Sequence, residues 1–345
     1  MATKVTIREV ALAAGVSVAT VSRALNRPGE VTAALRARVQ EAAGRLGYLA
    51  HGAARALASR RSGVIGAIVP TLDNQVFALC IDALQQRLDA HGLALLVASA
   101  GYDATREARE VRVLLERGVD GVMLVGAAHP ETVWSLLGQP GGMIPTVVTW
   151  TAADSASRAP CIGFDNREAA RQVAAHLLAL GHRRIAMIAG ETAGNDRAAG
   201  RVAGVRAGLA AAGLALAPPL FTERAYTIPD GHAAMDALLR LPEPPTAVVC
   251  GNDHLAFGAL AAARARGLCV PRDVSITGFD DLDFAAFADP PLTTVRVPAA
   301  EMGRRAADHL AAAASGATPT PPAPLEAPVM LRGSTAPPPR RRARA

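Results

Sequence analysis

Apolar positions recur at helical spacing in three short stretches at the start of the chain. From Gly63 onward, continuous apolar runs alternate with amphipathic stretches instead. In the first stretch the stripe is Ile7, Val10, Ala11 and Ala14; Thr6 stands where an N-cap belongs, and Glu9, three residues later, completes a capping box. Gly15-Val16-Ser17 reads as a tight turn, after which Ser17 caps a second helix whose buried side is Val21, Ala24 and Leu25. A third helix is expected from about Thr32, with Leu35, Val39, Ala42 and Leu46 in phase. The outer face of the second helix keeps Ser17, Val18, Ala19, Thr20, Ser22, Arg23 and Asn26, short hydroxyls and an amide with one guanidinium, which suits a major groove. The pattern therefore predicts an all-α helix-turn-helix headpiece over residues 1–49.

Beyond Gly63, GVIGAIVP, LALLVAS, GVMLVG and PTVVTW read as buried parallel strands, separated by helices near 76–90, 105–117 and 131–137. A second set follows, with strands RRIAMIAG, TAVVCGND and VSITGFDD and helices near 167–180, 197–212, 231–240 and 254–266. TTVRVP, from Thr293, and a helix over 299–314 come last and are expected to return to the first set. Residues 63–335 thus form an α/β core of two doubly wound lobes, with a cleft at the carboxyl ends of the strands where such sheets bind ligands. Between headpiece and core, residues 50–62 form a linker with an Ala-rich helix around 53–59, too short to be stable alone. Within it Leu57 reads either as a wedge for a minor-groove base step or as an incidental residue of a flexible linker. Residues 336–345, Pro-rich and then Arg-rich, read as a disordered tail.

Charge sharpens the headpiece. Ten basic residues stand against three acidic ones up to Ser62, an excess of seven, whereas the whole chain carries only +6. A basic excess confined to one small module is the footprint of a polyanion partner, here double-stranded DNA. At 345 residues the chain exceeds one core of ordinary size. No apolar run reaches the roughly twenty residues that span a membrane, and a polar helix from Thr6 leaves no room for an export signal, so a cytoplasmic protein without membrane contact is expected. Cys80, Cys161, Cys250 and Cys269 lack CxxC spacing and are expected as reduced core thiols, with no metal and no cofactor. Gly63-Val64-Ile65-Gly66 lacks the spacing of a dinucleotide fingerprint, and no GxSxG, HExxH or Walker motif is present, so no catalytic residues are assigned. The alternative is a solute-binding protein or an enzyme of sugar metabolism on the same two-lobed fold; the basic amino terminus speaks against both.

The phrases VTIREVALAAGVSVATVSRALN, GYLAHGAARALASRRS, LGHRRIAMIAG, GNDHLAFGAL and SITGFDD together resemble the lactose-repressor (LacI) family of bacterial transcription regulators along nearly the whole chain. PTLDNQVFA, IPTVVTW and IGFDN are similar to its gluconate-repressor-like branch. The resemblance implies a periplasmic-binding-protein-like core and a homodimer reading a pseudo-palindromic operator. A small-molecule effector, a sugar or sugar acid, sets DNA affinity from between the lobes.

Thr6, Ser17, Thr20, Ser22, Arg23, Asn26 and Thr32 match family positions that meet DNA, and Val18 and Ala19 match its two main base-reading positions. Both of those are small and apolar here, which suits a thymine methyl and excludes bidentate hydrogen bonding. In the hinge, Leu57 matches the wedge and Arg55 its basic neighbour; Ala50 and His51 replace the family's frequent Pro-Asn. In the cleft the effector positions carry over to Asn74, Phe77, Trp150, Arg201, Asn252 and Asp280. Sugar-binding relatives often place an acidic residue where Trp150 stands. Each also has a plainer reading: Arg201 as a surface ion pair, Asp280 and Asp281 as helix caps, Phe77 and Trp150 as lobe core, and Asn252 as the start of a helix.

Overall fold

The computed structural model describes residues 5–26, 28–48, 61–138 and 143–339. The expected hinge helix, with Arg55 and Leu57, falls outside the described residues, as do 340–345 of the tail. The chain divides into two compact units, Met1–Val64 with Gly118–Asp120 and Ile65–Arg117 with Gly121–Ala345.

In the first unit, α1 (Ile7–Ala14), α2 (Val18–Asn26) and α3 (Ala33–Leu46) close around Val10, Ala14, Val21, Ala24, Val39 and Ala42. The capping box is complete: Glu9 Oε2 accepts from Thr6 N at 2.7 Å, and Thr6 Oγ1 accepts from Glu9 N at 3.4 Å. Hydrogen bonds from the Thr6 backbone and hydroxyl hold the Glu9 carboxyl below its ordinary range. Gly15 ends α1 at φ 60°, ψ 39°, where a β-carbon would be crowded, and turns the chain into α2. Leu46 does not enter the core as its spacing suggests; it is exposed, and Ala43 is buried instead.

In the second unit, β1 (Val64–Val69), α4 (Gln75–Ala90), β2 (Ala94–Ser99), α5 (Ala104–Glu116), β3 (Gly121–Val125), α6 (Glu131–Leu137), β4 (Thr146–Thr149) and β5 (Cys161–Ile162) build the first lobe. Its sheet runs β2-β1-β3-β4-β5, and β1, β3, β4 and β5 pair in parallel. The second lobe contains α7 (Asn166–Ala179), β6 (Ile185–Gly190), α8 (Asp196–Ala210), β7 (Phe221–Arg224), α9 (Ile228–Leu239), β8 (Ala247–Cys250), α10 (Asp253–Ala265) and β9 (Ser275–Thr277). Its parallel sheet runs β7-β6-β8-β9. β10 (Thr294–Val295) pairs antiparallel with β11 (Val329–Met330), and between them α11 (Ala299–Ala314) returns to pack along α4 of the first lobe.

Two sequence expectations are corrected. The ordered chain runs past residue 335: Ala336 N donates to Ser275 Oγ at 3.0 Å, and the Ala336 carbonyl lies 2.8 Å from the Nε2 of buried His182. Cys269 is exposed, whereas Cys80, Cys161 and Cys250 are buried. It sits in the loop after α10, with its backbone amide bonded to Asp273.

Gly200, Gly204 and Gly208 line one face of α8 and let it lie directly on α7; a β-carbon at Gly204 would overlap the carbonyl oxygen of Arg167. Gly204→Val is expected to destabilise the chain by about 1–3 kcal/mol through overpacking. A fall in the thermal midpoint checks this, and an unmoved midpoint would mean the two helices do not pack on that face.

Candidate functional site

On the headpiece, Ser17 Oγ accepts from Thr20 N at 3.1 Å and lies 2.8 Å from Thr20 Oγ1, so the first turn of α2 is capped by its own hydroxyls. Ser17, Val18, Ala19 and Arg23 are exposed, and Thr20 and Ser22 are half-buried. The Arg23 Nε donates to the Ala19 carbonyl at 3.5 Å, which lays the guanidinium back along the helix. Asn26 closes the helix. Thr6 and Thr32 are both N-caps, their hydroxyls accepting from Glu9 and Leu35 amides, so each stands at a helix start with exposed backbone amides beside it. An α2 face of short, uncharged side chains beside a single arginine permits close approach to a base-pair edge.

In the core, Asn74, Phe77, Trp150, Arg201, Asn252 and Asp280 line a single cavity between the two lobes. Arg201, on α8, is buried. Its guanidinium stacks 3.6 Å above the Phe279 ring, donates to Asn166 Oδ1 at 3.0 Å and the Gly251 carbonyl at 2.6 Å, and holds Asp280 Oδ1 at 3.9 Å. This is not a surface ion pair. Nor is Asp280 a helix cap: it sits at φ 121° after β9, and burial pushes its carboxyl up to about 7 against the pull of Arg201. Its neighbour Asp281 does other work, pairing with Arg296 at 2.7 Å and Arg332 at 2.6 Å.

The remaining residues fit the plain reading and also reach the cavity. Asn252 caps α10, its Oδ1 accepting from Leu255 N at 2.9 Å, while its buried Nδ2 finds no partner among the described residues. Asn74 caps α4 through Val76 N at 3.1 Å. Phe77 and Trp150 belong to the hydrophobic core with ring centroids 5.0 Å apart, yet both reach the cavity wall.

Five lining residues escaped the sequence reading: Val76, Tyr102, Asn195, Arg197 and Tyr226. Arg197 precedes Arg201 by one helical turn, a spacing that places both on one face of α8. Tyr102 stands at the end of β2 where a doubly wound sheet presents its ligand loops. Tyr226 follows β7, whose residues FTER carry no strand signal, so nothing pointed to it. Arg197 Nη1 donates to the Val125 carbonyl at 2.9 Å and Asp196 Oδ2 accepts from Ala127 N at 3.0 Å, which joins α8 of the second lobe to the end of β3 in the first.

Backbone strain concentrates here. Among the described residues, the non-glycine positions with positive φ are Tyr102, Trp150, Asp280 and Asp281. The first three line the cavity. Such conformations cost about 1–3 kcal/mol each and gather where a site fixes its side chains.

A helix-turn-helix unit followed by a two-lobed α/β core with a polar, strained cleft defines a DNA-binding regulator with a ligand-sensing body. Residues 6–50 match the family described as bacterial regulatory proteins, lacI family, and 174–335 match the periplasmic binding protein-like domain. The chain is 36% identical to the HTH-type transcriptional repressor CytR of Escherichia coli strain K12 over 304 residues, covering 88% of each chain. It is also 36% identical to the HTH-type transcriptional regulator GntR of Pseudomonas aeruginosa over 313 residues, covering 90% of each. Among solved structures, the lac repressor dimer bound to operator and the anti-inducer ONPF superimposes with a TM-score of 0.83 at 27% identity, covering 97% of this chain and all of that one. The chain belongs to the lacI family of bacterial regulatory proteins. It is a transcriptional regulator, and this kinship sets aside the solute-binding and enzymatic alternatives. No helix among the described residues is long and apolar enough to cross a membrane.

The raised Asp280 carboxyl has a sign that can be tested. Between the ordinary aspartate value near 4 and about 7 the folded chain holds a proton that the unfolded chain has lost, so this group's contribution to stability falls as pH rises through that window. Asp280→Asn, which tolerates the positive φ, removes the titration. The stability difference, wild type minus variant, should decline from pH 4 to 7 by at most about 1.4 kcal/mol per unit. A flat difference curve in thermal unfolding would place Asp280 among ordinary ionised aspartates.

Proposed function

We propose that the chain is a cytoplasmic homodimeric repressor, with headpieces that read a pseudo-palindromic operator and a cleft that binds a sugar or sugar acid. The observation that carries the cleft reading is the convergence of Arg201, Asn252 and Asp280, two donors and an acceptor, beside the Phe77 and Trp150 rings. Buried donors and acceptors at fixed positions take ligand hydroxyls or a carboxylate, and the rings take an apolar sugar face. The effector roles of Asn74, Phe77, Trp150, Arg201, Asn252 and Asp280 rest on that convergence. The lac repressor relative is a dimer on operator, and here exposed Leu72, Leu79, Leu96 and Val97 give the first lobe an apolar surface of the kind a second copy covers.

On DNA, Ser17, Thr20, Ser22, Asn26 and the helix starts at Thr6 and Thr32 position the headpiece on phosphates and base edges, and Val18 and Ala19 pack on groove methyls. Arg23 supplies the long-reach donor, so discrimination leans on it. In the linker, Arg55 and Leu57 take the roles of groove contact and wedge. Ligand binding shifts the lobes between two arrangements, and the linker transmits the shift to the paired headpieces. Identity of 36% to both CytR and GntR gives the gluconate-type branch no advantage by overall similarity; PTLDNQVFA and IPTVVTW are what favour it.

Two variants separate the halves of this reading. Arg23→Ala is expected to weaken operator binding by about 1–3 kcal/mol, roughly 5- to 150-fold, in a gel-shift titration at fixed salt. Arg201→Ala is expected to bind operator as the wild type does, yet to lose the shift in affinity that sugars and sugar acids produce. Wild-type effector dependence in the second variant would sink the cleft assignment, and an unaltered operator titration in the first would sink the headpiece assignment.

A further inference from the structure

The parallel strands of the second lobe point their carboxyl ends into the cleft, with Asn252 after β8 and Asp280 after β9, so their starts lie at the opposite end of the sheet. Residues 334–338 close that end. The buried Ser334 Oγ accepts from Thr293 N at 2.8 Å and donates to the Ile276 carbonyl at 2.6 Å, while Ile276 N donates to the Ser334 carbonyl at 2.9 Å. Thr335 Oγ1 lies 3.0 Å from His176 Nε2, and Ala336 is held between Ser275 and buried His182. The chain therefore leaves the second lobe at a fixed point, beside the starts of β6 and β9. Pro337, Pro338 and Pro339 follow, with no amide to bond back into a sheet.

Directly after them in sequence, residues 340–345 read RRRARA, four arginines without an acid, and Glu326 is the last carboxylate before them. The whole chain carries +6, its first 62 residues +7 and residues 340–345 +4, so residues 63–339 sum to −5. Two separate basic segments thus flank an acidic body. Carboxylates at the exit already serve other guanidiniums: Glu243 lies 3.9 Å from Arg184, and Asp273 lies 3.0 Å from Arg272. Arg332 is engaged inside the fold, on Asp281 at 2.6 Å and the Leu292 carbonyl at 2.8 Å. Arg183 is different. It is exposed, has no carboxylate partner among the described residues, and follows by two positions Gly181, beside which the Pro338 ring lies.

We propose that residues 340–345, with Arg183 at their root, form a second contact for duplex DNA, independent of base sequence, at the end of the second lobe away from the cleft. Four like charges within six residues repel one another, and a polyphosphate relieves that repulsion while releasing its own condensed counterions. Six residues span roughly 20 Å at full extension, a length over which a duplex carries about twelve phosphates. Contacts of this kind hold the backbone and read no bases. The headpiece supplies the sequence preference and this segment adds affinity that salt removes.

The test titrates the full-length protein with a random-sequence duplex and with a palindromic duplex selected by the wild type, between about 50 and 200 mM salt. Wild type is compared with a fourfold variant, Arg340→Ser, Arg341→Ser, Arg342→Ser and Arg344→Ser together, with Arg183→Ser, and with Arg23→Ala. Each phosphate contact adds about 0.9 to the slope of log affinity against log salt, so the fourfold variant should flatten the random-duplex slope by about 3–4 per bound chain and Arg183→Ser by about 1. Random-duplex affinity of the fourfold variant at the lower salt should fall roughly tenfold or more, while its preference for the palindrome stays within about threefold of wild type. Arg23→Ala should lower that preference instead. An unchanged slope in the fourfold variant overturns the proposal. Loss of palindrome preference in that variant overturns the independence from sequence, and poly-L-glutamate competing as well as duplex at equal charge assigns the segment to an acidic protein instead. Absence of any palindrome preference in the wild type sinks the operator reading, whereas the salt slope still decides this one.

Discussion

One buried guanidinium links the two lobes at the cleft. Arg201 donates to Asn166, Asn166 Nδ2 donates in turn to the Trp150 carbonyl at the end of β4, and Arg201 also donates to Gly251 at the end of β8. A hydrogen-bonded chain therefore runs from the last residue after a first-lobe strand, through the start of α7, to the second-lobe sheet. Burying a charge is expensive unless its donors are met, and here two are met by fixed oxygens while the π face of Phe279 covers the flat side. The cost of removing Arg201 from water is what makes it informative. A guanidinium that only stabilised the fold would be as well replaced by apolar packing, whereas one left 3.9 Å from a strained carboxylate keeps capacity for a further partner.

Asp280 supplies the other half of that arrangement. Buried Asp253 fixes the loop that carries it, accepting from Thr294 Oγ1 at 2.6 Å and Leu282 N at 2.8 Å. Burial first, and the nearby Asp280 second, push the Asp253 carboxyl up to about 8. Two raised carboxyls close together disfavour simultaneous ionisation, so the loop that carries Asp280 holds less negative charge than two free aspartates would.

Much of this was legible in the sequence because strand runs such as GVMLV and AVVC are buried on both faces, and helices such as α5 keep a clean apolar stripe. The strands that were not legible, β5, β7 and β11, have two to four residues each and take their pairing from neighbours. At the site, residues on helix starts and strand ends were found because α/β sheets put ligands there, and the six cleft positions anticipated through family resemblance do surround one cavity. What escaped was side-chain reach: Arg197 crossing to Val125, and Tyr226 arriving from a strand with no pattern. Trp150 and Asn252 can serve structure and site at once, since an amide that caps through its oxygen keeps its nitrogen to offer and a core tryptophan keeps a second face.

Three hydrogen bonds across the mouth of the cleft bear on how the core can respond. Arg197 to Val125, Ala127 to Asp196 and Gln75 to Asp283 are single hydrogen bonds, and the last two are solvent-exposed. Such bonds contribute about 0.5–1.5 kcal/mol each, and those to charged groups about 1.5–3 where water is excluded. The sum is a few kcal/mol, the same scale as the roughly 1–3 kcal/mol by which an effector couples to a distant site. A latch much stronger than this would lock the lobes against any ligand, and one much weaker would leave them without a defined resting arrangement. With an inner cavity no larger than a water molecule, no ring can enter until those bonds yield, so ligand affinity and lobe position are one equilibrium.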